Sequence, residues 1–193
     1  VNFILDNLIA EKKAVPMVVV MSNGMVQTLD GNGKRIVDFR LFEKQLLMDI
    51  IPYAEEKFRI GRTKKMRAMA GLSMGSLQTS ITGFDHPGYF SSLGIFSGFV
   101  SDMIQGSPLD MVQREVSKNE HMKILDDADM FNSIFDVYFR AMGDQDPFWE
   151  HFDHDDQILK EKRINQIRRV YPGAHDWNVW RMCICDFAQL IFK

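Results

Sequence analysis

The sequence predicts an α/β fold, a mainly parallel sheet of about five strands with helices on both faces. Three observations carry this. Short apolar runs alternate with stretches of ten or more residues whose apolar positions recur at helical spacing, the pattern of linked strand–helix–strand units. One such run, Met66 to Ala70, leads directly into Gly71-Leu72-Ser73-Met74-Gly75, a glycine-flanked turn by which a strand passes into a helix with a serine at its apex. Finally, 193 residues, 46% of them hydrophobic, suit one domain, residues 1–193, with a sizeable core.

The elements follow in order. Phe3, Ile4, Leu5, Leu8 and Ile9 give residues 3–12 an amphipathic helical face. Pro16 to Met21 is a continuous apolar, β-branched run, the mark of a strand buried on both faces. A polar, glycine-containing loop is expected from Ser22 to Gly33. From about Arg40 to Phe58, Phe42, Leu46, Leu47, Ile50 and Ile51 recur at helical spacing. Met66 to Ala70 is the strand before the turn, and Met74 to about Phe84 the helix after it, ended by Asp85-His86-Pro87-Gly88. Ser92 to Phe96 is another short strand. Residues 101–130 lack a clean period and read as an excursion, or lid, with short helices. Val137 to Met142 is a strand, Phe148 to about Arg163 a charged surface helix, Ile167 to Tyr171 the last strand, and His175 to Phe192 a final apolar-rich helix.

In parallel α/β sheets, functional residues gather beyond the carboxyl ends of the strands. Three loops qualify here: Gly71 to Gly75, Gly143 to Trp149 and Pro172 to Trp177. A strand entering a Gly-x-Ser-x-Gly turn can hold a serine in a strained conformation beside a helix start, as a nucleophile elbow does. The competing reading of such a turn is a structural or phosphate-binding loop, although no Gly-Lys-Ser/Thr follows to make a P-loop. A serine hydroxyl needs a neighbouring base, best an imidazole oriented by a carboxylate. Of the five histidines, His175 alone follows a strand and opens a helix, where it is either a structural residue or that base. Asp144 and Asp146, after the strand at 137–142, are the candidate acids, with turn forming and helix capping as their competing roles. The order Ser, Asp, His is the one α/β-hydrolases require. His151 and His154 lie three apart on an acidic helix, and a solvated acidic face is preferred there to metal ligation.

Composition removes other classes. A net charge of −3 gives no basic surface for nucleic acid, and the longest apolar run is far too short to span a bilayer. Cys183 and Cys185, the only cysteines, point about 200° apart on a helix and do not pair, which fits a reducing compartment slightly better than an oxidising one. No cofactor and no metal are expected.

With these residues assembled, the chain resembles the esterase D/feruloyl esterase family of α/β-hydrolases. The resemblance runs through Asn2-Phe3-Ile4-Leu5-Asp6-Asn7-Leu8, Val18-Val19-Val20-Met21-Ser22-Asn23-Gly24, Ile51-Pro52-Tyr53, Ala70-Gly71-Leu72-Ser73-Met74-Gly75 and Gly173-Ala174-His175-Asp176-Trp177-Asn178-Val179-Trp180. It implies a three-layer sandwich with Ser73 as nucleophile, His175 as base, Asp146 rather than Asp144 as acid, and the Met74 N–H as an oxyanion donor. Closest to the feruloyl and xylan esterase branch, it implies hydrolysis of feruloyl or acetyl esters on plant polysaccharide by a secreted or periplasmic enzyme. Trp149 and Trp177, in the loops flanking the site, are candidates to pack against an aromatic acyl group or a sugar ring, with core or rim packing as the competing role of each. The resemblance also implies strands ahead of Val1, one of them lying between the runs at 16–21 and 66–70, so that the chain reads as N-terminally truncated. The alternatives are a weakly active or non-catalytic binding module, a cytoplasmic thioester hydrolase, and a homo-oligomer in which a second subunit covers the gap.

Overall fold

A computed structural model describes residues 1–38, 41–98 and 121–193. Helix α1 (Asn2–Ala10) is followed by a hairpin of β1 (Gln27–Leu29) and β2 (Arg35–Val37), paired antiparallel with Thr28 opposite Ile36. Helix α2 (Leu41–Gln45) runs through a π-helical turn (Leu46–Ile50) into α3 (Ile51–Lys57). The Ile51 N–H reaches back five residues to the Leu46 carbonyl, and Pro52 has no N–H with which to restore the α-helical ladder at the next position.

The main sheet begins at β3 (Ala68–Leu72), then α4 (Met74–Asp85) and β4 (Ser92–Phe96). A 3-10 helix (His121–Asp126) and α5 (Ala128–Ile134) precede β5 (Val137–Gly143), α6 (Trp149–Glu161), β6 (Ile167–Tyr171) and α7 (Trp177–Ala188). The four strands are parallel in the order β3-β4-β5-β6, with Gly94 opposite both Ala70 and Phe139, and Ala141 opposite Arg169.

Alternation along β4 and β5 separates two cores. Leu93, Ile95 and Tyr138 pack with Phe84 of α4, Phe131 of α5 and Leu159 of α6, while Leu46, Leu47 and Ile51 close over them. On the opposite face Phe96, Val137, Phe139 and Ala141 pack against Val179, Cys183 and Phe187 of α7. Helix α1 sits behind, with Leu5 and Leu8 against Ala188. Three layers result, a parallel sheet between helices, as an α/β-hydrolase-like fold requires. Burial pushes the Cys183 thiol up to about 12 and also raises that of Cys185; both cysteines are free.

One expected strand is missing. Residues 16–21 join no strand among the described residues, and Val18, Val19 and Val20 are exposed. A β-branched run favours extended backbone, but a strand also needs a neighbour to take its N–H and C=O groups. Among the described residues the main sheet therefore has four strands rather than about five. The expected loop at 22–33 in fact contains β1 and the turn toward β2. Of the excursion at 101–130, residues 101–120 lie outside the described residues.

Helix α6 also differs from a simple surface helix. Its Asp155 is fully buried against Arg140 of β5, itself fully buried. The Arg140 guanidinium donates to Asp155 Oδ2 (3.0 Å), Asp156 Oδ1 (2.7 Å), Gln166 Oε1 (2.9 Å) and the Phe152 carbonyl (3.2 Å), and lies 4.4 Å from the Phe152 ring centroid. A desolvated guanidinium is tolerated because its charge is matched and nearly all its donors are used. This clamp ties α6, and so the loop leading into it, to the centre of the sheet.

Candidate active site

The carboxyl ends of the strands converge on one place. Between β3 and α4, Ser73 has φ +52° and ψ −120°, a conformation that costs a non-glycine residue about 1–3 kcal/mol. The turn closes tightly enough that a Cβ on Gly71 would lie 2.0 Å from the Gly75 carbonyl oxygen, so only glycine fits there. Ser73 is then pinned on both sides. Its N–H donates to the Phe96 carbonyl of β4 (2.9 Å), and its own carbonyl accepts from the Ser76 N–H (3.0 Å) and the Ser76 hydroxyl.

The loops after β5 and β6 are stitched together. Asp144 N–H donates to the Tyr171 carbonyl (2.9 Å), Gln145 N–H to the Gly173 carbonyl (2.9 Å), and Gly173 N–H to Asp144 Oδ1 (3.0 Å). Gly143 permits this approach, since a Cβ there would meet the Gly173 carbonyl oxygen at 2.2 Å. Asp144 is thus an exposed splint between loops. Asp146 is nearly buried, at 3% exposure, and its Oδ1 accepts from the Phe148 N–H (3.0 Å).

His175 lies between the carboxylate and the serine. Its Nδ1 is 2.8 Å from Asp146 Oδ2 and its Nε2 2.9 Å from Ser73 Oγ. Burial pushes the Asp146 carboxyl up, but hydrogen bonds from His175 and the Phe148 N–H outweigh it and leave the group below the usual carboxylate range. An ionised Asp146 accepts from Nδ1–H, which leaves Nε2 as an acceptor for the serine hydroxyl.

Met74 is the first residue of α4, so its N–H is among the donors left without an intrahelical partner. The two expected tryptophans part company. Trp149 turns toward Phe152 (6.0 Å between centroids) and the Arg168 guanidinium (5.6 Å), whereas Trp177 is 61% exposed and stands edge-on to Trp180 at 5.1 Å. The rings that meet the imidazole are Phe148, at 5.3 Å, and Trp180, at 5.2 Å, both T-shaped. Sequence reasoning passed over both. The three-residue spacing of Trp177 and Trp180 puts them on one helix face, which is a readable signal; Phe148 is placed only by the turn that Asp146 caps. Among the described residues, no three His, Cys, Asp or Glu side chains gather as a metal site, and no helix is long and apolar enough to cross a membrane.

Comparison with known proteins agrees with this architecture. A family model described as a putative esterase matches residues 2–187. An endo-1,4-beta-xylanase/feruloyl esterase of Xylanibacter ruminicola is 28% identical over the full 193 residues, which span 23% of that protein's length. A solved ferulic acid esterase superposes with a TM-score of 0.74 at 22% identity, covering 98% of this chain and 75% of its own. Another, from Anaeromyces mucronatus and solved with ferulic acid, gives 0.65 at 20% identity, covering 96% and 69%. At these identities the structural likeness shows a shared fold, and the family match shows more: the chain belongs to this esterase family.

Proposed function

We propose that this member of the esterase family is a carboxylic ester hydrolase working through an acyl-enzyme, with Ser73 as nucleophile, His175 as general base and Asp146 as its orienting acid. The observation that carries the proposal is the unbroken line of two hydrogen bonds from Ser73 Oγ through His175 to Asp146 Oδ2. Ser73 Oγ attacks the ester carbonyl as its proton passes to His175 Nε2. The imidazolium, stabilised by the ionised Asp146, then gives that proton to the departing alcohol oxygen as the C–O bond breaks. Water repeats the exchange on the acyl-serine, releasing the acid and restoring Ser73. The tetrahedral oxyanion forms beside the start of α4, where the Met74 N–H and the helix dipole favour negative charge.

For the substrate, the proposal is a feruloyl or acetyl ester on plant polysaccharide. Its support is the named activity of the relatives together with Phe148 and Trp180 around the imidazole and the exposed Trp177 beside Trp180. A planar acyl group or a sugar ring would pack edge or face against Trp177 and Trp180. Action on such a polymer requires a secreted or periplasmic enzyme, which belongs to the same proposal.

Replacing Ser73 by alanine tests the mechanism. Hydrolysis of p-nitrophenyl acetate and of methyl ferulate should fall by about 10³–10⁶ in kcat, with unchanged folding by circular dichroism. A folded Ser73→Ala protein that keeps its activity overturns the reading.

A further inference from the structure

His175 is held at both nitrogens, yet two hydrogen bonds do not fix an imidazole. They run from Nδ1 to Asp146 Oδ2 at 2.8 Å and from Nε2 to Ser73 Oγ at 2.9 Å, and leave the ring free to tilt about the line joining them. The side chain is 22% exposed, so it also has room to swing toward water. Each hydrogen bond is worth little net of the water it replaces, and exposed side chains change rotamer rapidly. We infer that Phe148 and Trp180 are a positioning pair, two aromatic rings that keep His175 in the orientation from which Nε2 meets Ser73. This inference rests on the role proposed for His175.

The Phe148 ring stands 5.3 Å from the imidazole, centroid to centroid, with the planes 78° apart; the Trp180 ring stands at 5.2 Å and 87°. Both contacts are T-shaped, an arrangement aromatic rings prefer, and any tilt of the imidazole disturbs both at once. The two rings come from different elements, and each is anchored. Phe148 follows Pro147, whose ring fixes the backbone φ, and the Phe148 N–H donates to Asp146 Oδ1 at 3.0 Å. One residue thus holds the acid with its backbone and meets the base with its side chain.

Trp180 lies in the first turn of α7, where its N–H donates to the Asp176 carbonyl at 3.1 Å. Asp176 in turn caps that helix through the N–H groups of Asn178 and Val179. Trp177 then packs edge-on against Trp180 at 5.1 Å. The Trp180 indole N–H is buried with no hydrogen-bond partner among the described residues. An unpaired buried donor is a cost, so what this side chain contributes is its ring.

Diisopropyl fluorophosphate tests the base without an aromatic group that could pack on tryptophan. The Ser73 Oγ–P bond forms, fluoride leaves, and His175 takes the proton. This reaction should be about 3- to 10-fold slower in Phe148→Leu and in Trp180→Leu, with kcat and kcat/KM for p-nitrophenyl acetate falling together. Trp180→Phe, which keeps a ring and loses only the unpaired N–H, should react within about twofold of wild type. A merely structural pair would lower the melting temperature of the leucine variants without slowing the reaction of the folded protein, and that result overturns the inference. So does an unchanged rate beside a raised KM for methyl ferulate, which would assign both rings to the substrate. Phe148 lies partly exposed on a turn, so its leucine variant still decides the matter if Trp180→Leu fails to fold. His175→Ala measured alongside separates the two readings. An undiminished rate there sinks the triad itself, whereas its loss beside unchanged leucine variants sinks only the role of the two rings.

Discussion

Residues 15–21 and strand β5 are both strings of apolar side chains, yet they end in opposite environments. Every residue of Val137–Gly143 is buried, and Phe139, Ala141 and Met142 have no exposed surface. In the earlier segment Val18, Val19 and Val20 are 46%, 43% and 52% exposed and Met21 is 74% exposed. Strand β5 has a parallel partner on each side and helices above and below. Of residues 15–21 only Met17 packs against the cores, against the cluster around Phe96 and Val179 and against the one around Leu5 and Leu8. Apolar, β-branched composition favours a strand; position between hydrogen-bonding neighbours is what makes one. The difference also separates what each segment can do, since β5 ends in the loop that holds Asp146.

Substitutions should make that contrast quantitative. The largest effect is expected where β5 meets the chemistry. Asp146→Asn should lower kcat by about 10⁴, while Asp144→Asn, which loses only the splint to Gly173, should lower it less than about tenfold. Comparable losses from the two would undo the assignment of the acid. Next comes Arg140→Ala, which withdraws the buried guanidinium that Asp155, Asp156 and Gln166 share and should destabilise the protein by about 3–5 kcal/mol in urea unfolding. Val19→Ser in the exposed segment should shift stability by no more than about 0.5 kcal/mol. A large loss from Val19→Ser would mean that residues 15–21 carry a contact their exposure does not reveal.

The smallest effect is electrostatic. Because Asp146 titrates below the usual carboxylate range in the folded protein, its ionised form contributes stability above the unfolded value near 3.9. That contribution is lost as pH falls through the folded value. The urea midpoints of wild type and Asp146→Asn should therefore differ more at pH 5 than at pH 3. A constant difference would show that the aspartate is held by packing rather than by its charge.

Much of this site was legible in the sequence because its determinants are local. Gly71 and Gly75 bracket Ser73, and the strands at 92–96 and 167–171 have the bounds expected of them. His175 and Asp146 follow strands in the required order. The rest depends on who lies beside whom. Arg140 in a strand would ordinarily signal exposure, and only the fold brings Asp155, Asp156 and Gln166 around it. The hairpin of β1 and β2, by contrast, carries a local signal. Asp30-Gly31-Asn32-Gly33 is a turn signal, and Asp30 Oδ1 accepts from the N–H groups of Asn32 and Lys34.

The imidazole at the centre of the site bonds to an aspartate 29 residues away and to a serine 102 residues away. Parallel strands reached through long crossovers close slowly, since chain entropy is lost before their contacts form. No contiguous fragment shorter than residues 73–175 contains all three groups. Catalytic competence is thus a late and global event for the folding chain, and its return after denaturation reports that the outer strands β3 and β6 have both taken their places.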